Sequence, residues 1–230
     1  MRGLFTQIFT AASIAGAASA APWVREDGDW YARALVASDT LDGAEGWRGD
    51  AYGEYGLTDK WTVTAKAEAV SYTDFEAFDR ESFRLTLRRK LLERGNWTVG
   101  AEAGAIYGST ATGFAGCDGA GFEARGGAGY SGAHKSGQRF YAFADAAYIR
   151  QENGCERMRV ELGYGSDLTD RVFVTQQLWI EEGNQSADSV KLENQIGVHF
   201  GKVDVSLGYR QEYGGQFEER AILVALVARG

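Results

Sequence analysis

The stretch that decides the fold is Trp97-Thr98-Val99-Gly100-Ala101-Glu102-Ala103-Gly104-Ala105-Ile106-Tyr107. Trp97, Val99, Ala101, Ala103, Ala105 and Tyr107 share one parity, while Thr98, Gly100, Glu102 and Gly104 share the other. A period of two places alternate side chains on opposite faces of a β-strand, so this stretch predicts a strand with one apolar and one largely polar face. The two rings close the apolar face at its ends. At about 3.3 Å per residue and a tilt near 40°, ten residues hold them roughly 25 Å apart along a barrel axis, the height of an apolar band between two aromatic girdles.

The same alternation runs outward in both directions. Trp47, Gly49, Ala51, Gly53, Tyr55 and Leu57 oppose Arg48, Asp50, Tyr52, Glu54 and Gly56; Trp61, Val63, Ala65, Ala67 and Ala69 oppose Thr62, Thr64, Lys66 and Glu68. Met158, Val160, Leu162 and Tyr164 oppose Arg157, Arg159 and Glu161, and Val203, Val205, Leu207 and Tyr209 oppose Asp204, Ser206 and Arg210. Phe140 and Tyr148 bracket Ala142, Ala144 and Ala146 as Trp97 and Tyr107 bracket theirs. About twelve strands are predicted, ten being the alternative count, near residues 29–40, 47–57, 61–72, 81–92, 97–108, 120–131, 139–150, 156–166, 171–181, 189–200, 203–213 and 218–228. The connections 57–60, 93–96, 131–137, 167–170 and 201–202 are compact and turn-rich. Those at 41–46, 73–80, 109–119 and 182–188 are longer or more polar, the short-and-long rhythm of outer-membrane barrels.

Composition narrows the class. Arg2 precedes an apolar, Ala-rich run ending Ala18-Ser19-Ala20, the layout of a secretory signal peptide cleaved near Ala20. Removing residues 1–20 leaves a single expected domain over 21–230, with 23 basic against 32 acidic groups and a formal charge of −9. Dispersed basic residues in an acidic chain argue against a nucleic-acid partner. No apolar run after residue 20 approaches the length of a spanning helix, so a membrane form must be a closed antiparallel barrel. The one proline is Pro22, and nothing later interrupts the ladders.

Alternation alone also fits a soluble secreted ligand-binding barrel with its charges outside. The bracketed positions of small residues favour the membrane form, because Ala and Gly would fill a soluble core poorly while lipid fills the space freely. In this whole-chain pattern, which carries no signature motif, the sequence resembles the porin-like outer-membrane β-barrels of Gram-negative bacteria. Tyr55-Gly56-Leu57-Thr58-Asp59-Lys60-Trp61 is similar to their strand, tight turn and strand. The resemblance implies an outer-membrane location and outer-membrane lipid as a partner. It also implies passage of small polar or charged solutes, as in the smaller twelve-stranded channels for acidic sugars or nucleosides. The chain departs from the family in ending Leu226-Val227-Ala228-Arg229-Gly230 rather than on an aromatic residue.

The charged parity supplies the candidate lumen lining: Arg48, Asp50, Glu54, Lys66, Glu68, Arg84, Arg88, Glu102, Glu123, Arg125, Asp145, Arg157, Arg159, Glu161, Lys191, Glu193, Asp204 and Arg210. Such a lining suits either a solute-selecting channel or ladders of opposed charge that close a narrow lumen. The second outcome gives a non-conducting structural, adhesion or envelope-assembly barrel. Trp47, Tyr55, Trp61, Trp97, Tyr107, Phe140, Tyr148 and Tyr164 are the candidate aromatic girdle. Cys117 and Cys155, the only cysteines, both fall in outer connections, and an even count in an oxidising compartment predicts a disulfide between them. His134 and His199 are the only histidines and neither has a marked Ser nucleophile, so no enzyme is expected. Asp27-Gly28-Asp29 and Asp118-Gly119 read as turns, and no cofactor or metal motif is found.

Overall fold

The computed structural model describes residues 22–109, 117–185, 188–215 and 217–230. The expected leader, residues 1–20, lies outside the described residues. Twelve strands are present among those described: β1 Trp30–Leu41, β2 Ala44–Thr58, β3 Trp61–Tyr72, β4 Arg80–Arg94, β5 Trp97–Gly108, β6 Ala120–Ala133, β7 Arg139–Gln151, β8 Glu156–Asp167, β9 Val172–Gly183, β10 Ser189–Phe200, β11 Val203–Gly215 and β12 Glu219–Arg229. Each pairs antiparallel with its sequence neighbours, and β1 closes on β12 from Tyr31↔Arg229 to Leu41↔Glu219. Closure leaves no unpaired edge, the condition for a sheet to cross lipid. A 3-10 turn, Glu76–Phe78, is the one helical piece among the described residues.

Both chain ends of the barrel meet at one rim, where Trp30 N donates to Gly230 O over 2.9 Å. The compact connections 59–60, 95–96, 134–138, 168–171 and 201–202 also lie at this end, called here the turn end. The opposite, loop end carries 73–79 and the described residues 109 and 117–119, but also two short connections, 42–43 and 152–155. The expected loop at 41–46 is therefore corrected to a two-residue turn, and β2 starts at Ala44. Asp42 and Gly43 have φ of 48° and 88°, the paired left-handed conformation of a tight hairpin turn whose twist matches its strands.

The apolar parity faces outward. Trp97 and Tyr107 are 56 % and 65 % exposed, and Val36, Leu85, Val160, Ile180 and Val224 lie on the same outer surface. The charged parity is buried inside the wall. This arrangement is the reverse of a soluble barrel, whose apolar residues would line the interior. The interior also holds an apolar seam where the barrel closes, formed by Leu35 and Ala37 of β1 with Ala221, Leu223 and Ala225 of β12.

Candidate functional site: the barrel lumen

Alternation turns one residue in two inward, so the lumen lining is set by register, and each strand delivers its charges at a defined height. Arg48, Asp50, Glu54, Arg84, Arg88, Glu102, Glu123, Arg125, Asp145, Arg157, Glu161, Glu193 and Asp204 are buried, whereas Lys66, Glu68, Arg159, Lys191 and Arg210 are half-buried. They meet as opposed charges rather than as isolated ones.

Toward the loop end the network centres on Glu219, 1 % exposed. Its carboxylate lies 2.6 Å from Arg48, 2.8 Å from Lys191, 3.2 Å from Arg80 and 3.8 Å from Arg210. Arg80 stands on β4, separated from β12 by β1, β2 and β3, so this contact crosses the lumen instead of following the wall. Arg48 also holds Asp39 at 2.5 Å, and Lys191 reaches Glu212 at 3.4 Å.

At middle depth Asp50 receives Arg33 at 2.7 Å and Lys66 at 2.9 Å. Arg125 joins Glu123, Asp145 and Glu161 at 2.9, 3.2 and 3.3 Å, and Arg84 adds a second cation to Glu123. Arg210 holds Glu193 at 2.6 Å, while nearer the loop end Glu181 binds both Arg157 and Arg159. Toward the turn end Arg88 donates to Glu102 over 2.7 Å, to Glu54 over 2.8 Å and to Tyr52 Oη over 3.1 Å. His199 places Nδ1 2.6 Å from Asp204 and Nε2 3.2 Å from Asp167, with Phe173 stacked on its ring. His134 Nε2 lies 3.2 Å from Ser166 Oγ at the turn-end rim.

Sequence reading passed over Arg33, Asp39, Arg80, Glu181, Glu212 and Glu219, although all six face the lumen. Glu219 is hidden because β12 is apolar on both parities from Ala221 to Ala228: Ala221, Leu223, Ala225 and Val227 face in while Ile222, Val224 and Leu226 face out. Its first residue therefore belongs to no visible charged series. Asp39 and Arg33 share this fate on β1, whose inward parity also contains Leu35 and Ala37.

The space left between these side chains is a vestibule of about 210 Å³ on the loop side. Its lining includes Arg48, Lys66, Arg80, Arg84, Arg157, Arg159, Lys191 and Arg210 with Glu68, Glu123, Glu181, Glu212 and Glu219, and Trp179 offers a ring. Above it the 3-10 turn packs Phe78 against Tyr72 and Phe217, with ring centroids 6.2 and 5.6 Å apart, narrowing the mouth on the β1–β3 side. Cys117 and Cys155 form a disulfide with a Cα–Cα distance of 5.3 Å, tying the loop after β5 to the β7–β8 connection.

On the outer surface, Trp47, Tyr55, Trp97, Tyr107 and Tyr164 are exposed, and Trp61, Phe140 and Tyr148 are half-buried. Tyr55, Trp61, Trp97 and Phe140 stand near the turn end of their strands, and Trp47, Tyr107 and Tyr148 near the loop end. Tyr164 lies farther in, paired with Ala142 and Gln176.

No protein-family model and no curated protein sequence matches the chain. The fold is similar to that of three solved structures. An outer-membrane channel from Pseudomonas putida F1 shares 12% identity at a TM-score of 0.55, over 94% of this chain and 100% of that one. The NanC porin shares 10% identity at a TM-score of 0.60, over 85% of this chain and 98% of that one. The KdgM porin in complex with disordered oligogalacturonate shares 6% identity at a TM-score of 0.52, over 85% of this chain and 98% of that one. The chain thus has the fold of porin-like outer-membrane barrels.

Proposed function

We propose that the protein resides in the outer membrane, with its turn end toward the periplasm, and serves as a narrow channel for small polar or charged solutes. The observation that carries this reading is the vestibule, a polar space lined by charges of both signs inside a wall whose outer surface is apolar. An apolar band outside and a polar interior are the two requirements of a barrel that admits solutes through lipid. A charged lining then sets which solutes linger and which pass.

The oligogalacturonate found with the KdgM porin is a polyanion. In this chain every basic group named in the vestibule has a carboxylate within 4.0 Å. An anion entering here must compete with these internal partners, so small solutes of either charge are the better fit. A second reading, a non-conducting structural barrel, draws on the same ion pairs, since Glu219 bridges strands that face each other across the lumen. Single-channel recording in planar bilayers separates the two. Discrete current steps from the refolded barrel are expected of a channel, and their absence from a barrel shown to be folded selects the structural role.

A further inference from the structure

Residues 22–29 do not hang from the barrel but turn back into it. Asp29 N donates to Glu26 O over 3.0 Å, with Gly28 at φ 82° in the third turn position, which reverses the chain at the rim. Gly28 N is in turn anchored on Gly56 O of β2 at 3.0 Å. Upstream of this turn Pro22 is buried, and Trp23, Val24 and Arg25 are half-buried within the turn end of the lumen.

The wall is shaped to receive this segment. A Cβ on Gly56 would lie 1.9 Å from Glu26 O, one on Gly100 2.5 Å from Pro22 O, and one on Gly129 2.4 Å from the Trp23 ring. Glycines on β2, β5 and β6 therefore leave the room that the segment fills. Trp23 meets Tyr141 and Phe143 of β7 edge-on, at 5.8 and 6.1 Å between centroids, the favoured geometry for paired rings. Polar clamps complete the seat. Arg88 donates to Trp23 O over 3.0 Å, and Arg25 pairs with Glu54 at 2.5 Å.

We propose that Pro22–Glu26 is a built-in plug that limits passage through the turn end of the lumen. This rests on the channel reading above. The segment reaches from β2 to β7 across the interior, and its seat combines a glycine cradle, one aromatic slot and one ion pair. It is joined to the wall by a single turn and has no strand pairing of its own, so it can leave without breaking the barrel ladder. Occupied, the seat narrows the path below the vestibule; vacated, it exposes Glu54, Arg88 and the Tyr141–Phe143 face to passing solute.

The test compares single-channel conductance of the full mature chain, a variant lacking residues 22–27, and Gly129→Val, whose side chain takes the place of the Trp23 ring. Electrophoresis of unboiled samples first establishes that each variant is a folded barrel. The expected result is a step conductance at least twofold higher in both variants than in the parent. Equal steps in all three would overturn the plug while leaving the channel intact. No steps in any of the three would overturn the channel reading, and the plug with it.

Discussion

At the scale of single residues, the lumen is governed by the cost of leaving a buried charge unpaired. Glu219 gathers Arg48, Arg80, Lys191 and Arg210 around one carboxylate almost without solvent. Removing one member of such a buried set typically costs about 3–5 kcal/mol, because the remaining charges keep their desolvation penalty and lose its compensation. Glu219→Gln should therefore lower the unfolding free energy of the barrel by an amount in that range, read as a lower urea midpoint in micelles. The exposed pair Arg150–Glu156, 3.6 Å apart with side chains 59% and 47% exposed, offers the contrast. Exposed pairs contribute less than about 1 kcal/mol, so Glu156→Gln should leave the midpoint nearly unchanged. Equal effects from the two substitutions would contradict the paired-lumen description. These energetics were only partly legible in the sequence. Alternation marked Arg48 and Arg210 as inward, but which carboxylate each would meet depends on register across strands distant in the chain. Glu219 had no charged neighbour of its own parity to reveal it.

At the scale of elements, a strand carries its information in parity, and parity survives without tertiary context. The stretch from Trp97 to Tyr107 reads as a lipid-facing and a lumen-facing row, and β5 covers Trp97–Gly108 with that division. What escaped was the start of β2: Asp42-Gly43 is a strong turn signal, and the polar residues beside it looked like loop, whereas Ala44–Gly46 pair with Leu41–Asp39 of β1. The disulfide was legible from cysteine count and from the placement of both residues at the same end of the barrel. The lipid-facing row makes a further prediction. Ala103 is exposed on the outer face midway between Trp97 and Tyr107. Arg at the bilayer midplane of such a face costs about 2–4 kcal/mol. Ala103→Arg should thus destabilise the barrel in lipid vesicles by that order, read from reversible urea unfolding. No loss in vesicles would mean that this face does not meet hydrocarbon.

At the scale of the whole molecule, an acidic chain folds so that its interior charges are paired, yet the vestibule lining carries eight basic groups against the six carboxylates of Glu68, Glu123, Glu181, Asp188, Glu212 and Glu219. If the vestibule conducts, its reversal potential in a tenfold potassium chloride gradient should show a weak preference for chloride, since the basic excess is small and each basic group is already paired. A cation-selective reversal potential, or one near that of an ideal anion channel, would contradict this paired, slightly basic lining. Fold was far more legible than function because the period of two is repeated along the whole chain, whereas a path through the lumen depends on a few side chains and on residues 22–29. Nothing in the local sequence of Pro22-Trp23-Val24-Arg25 announces that it folds inward; the glycines that receive it lie on other strands. We propose that the closed barrel these strands form resides in the outer membrane. Electrophoretic mobility of the chain recovered from outer-membrane fractions, boiled against unboiled, tests it most directly. A shift between the two samples in that fraction is the result expected of a closed membrane barrel; recovery in the soluble fraction with no shift would contradict it.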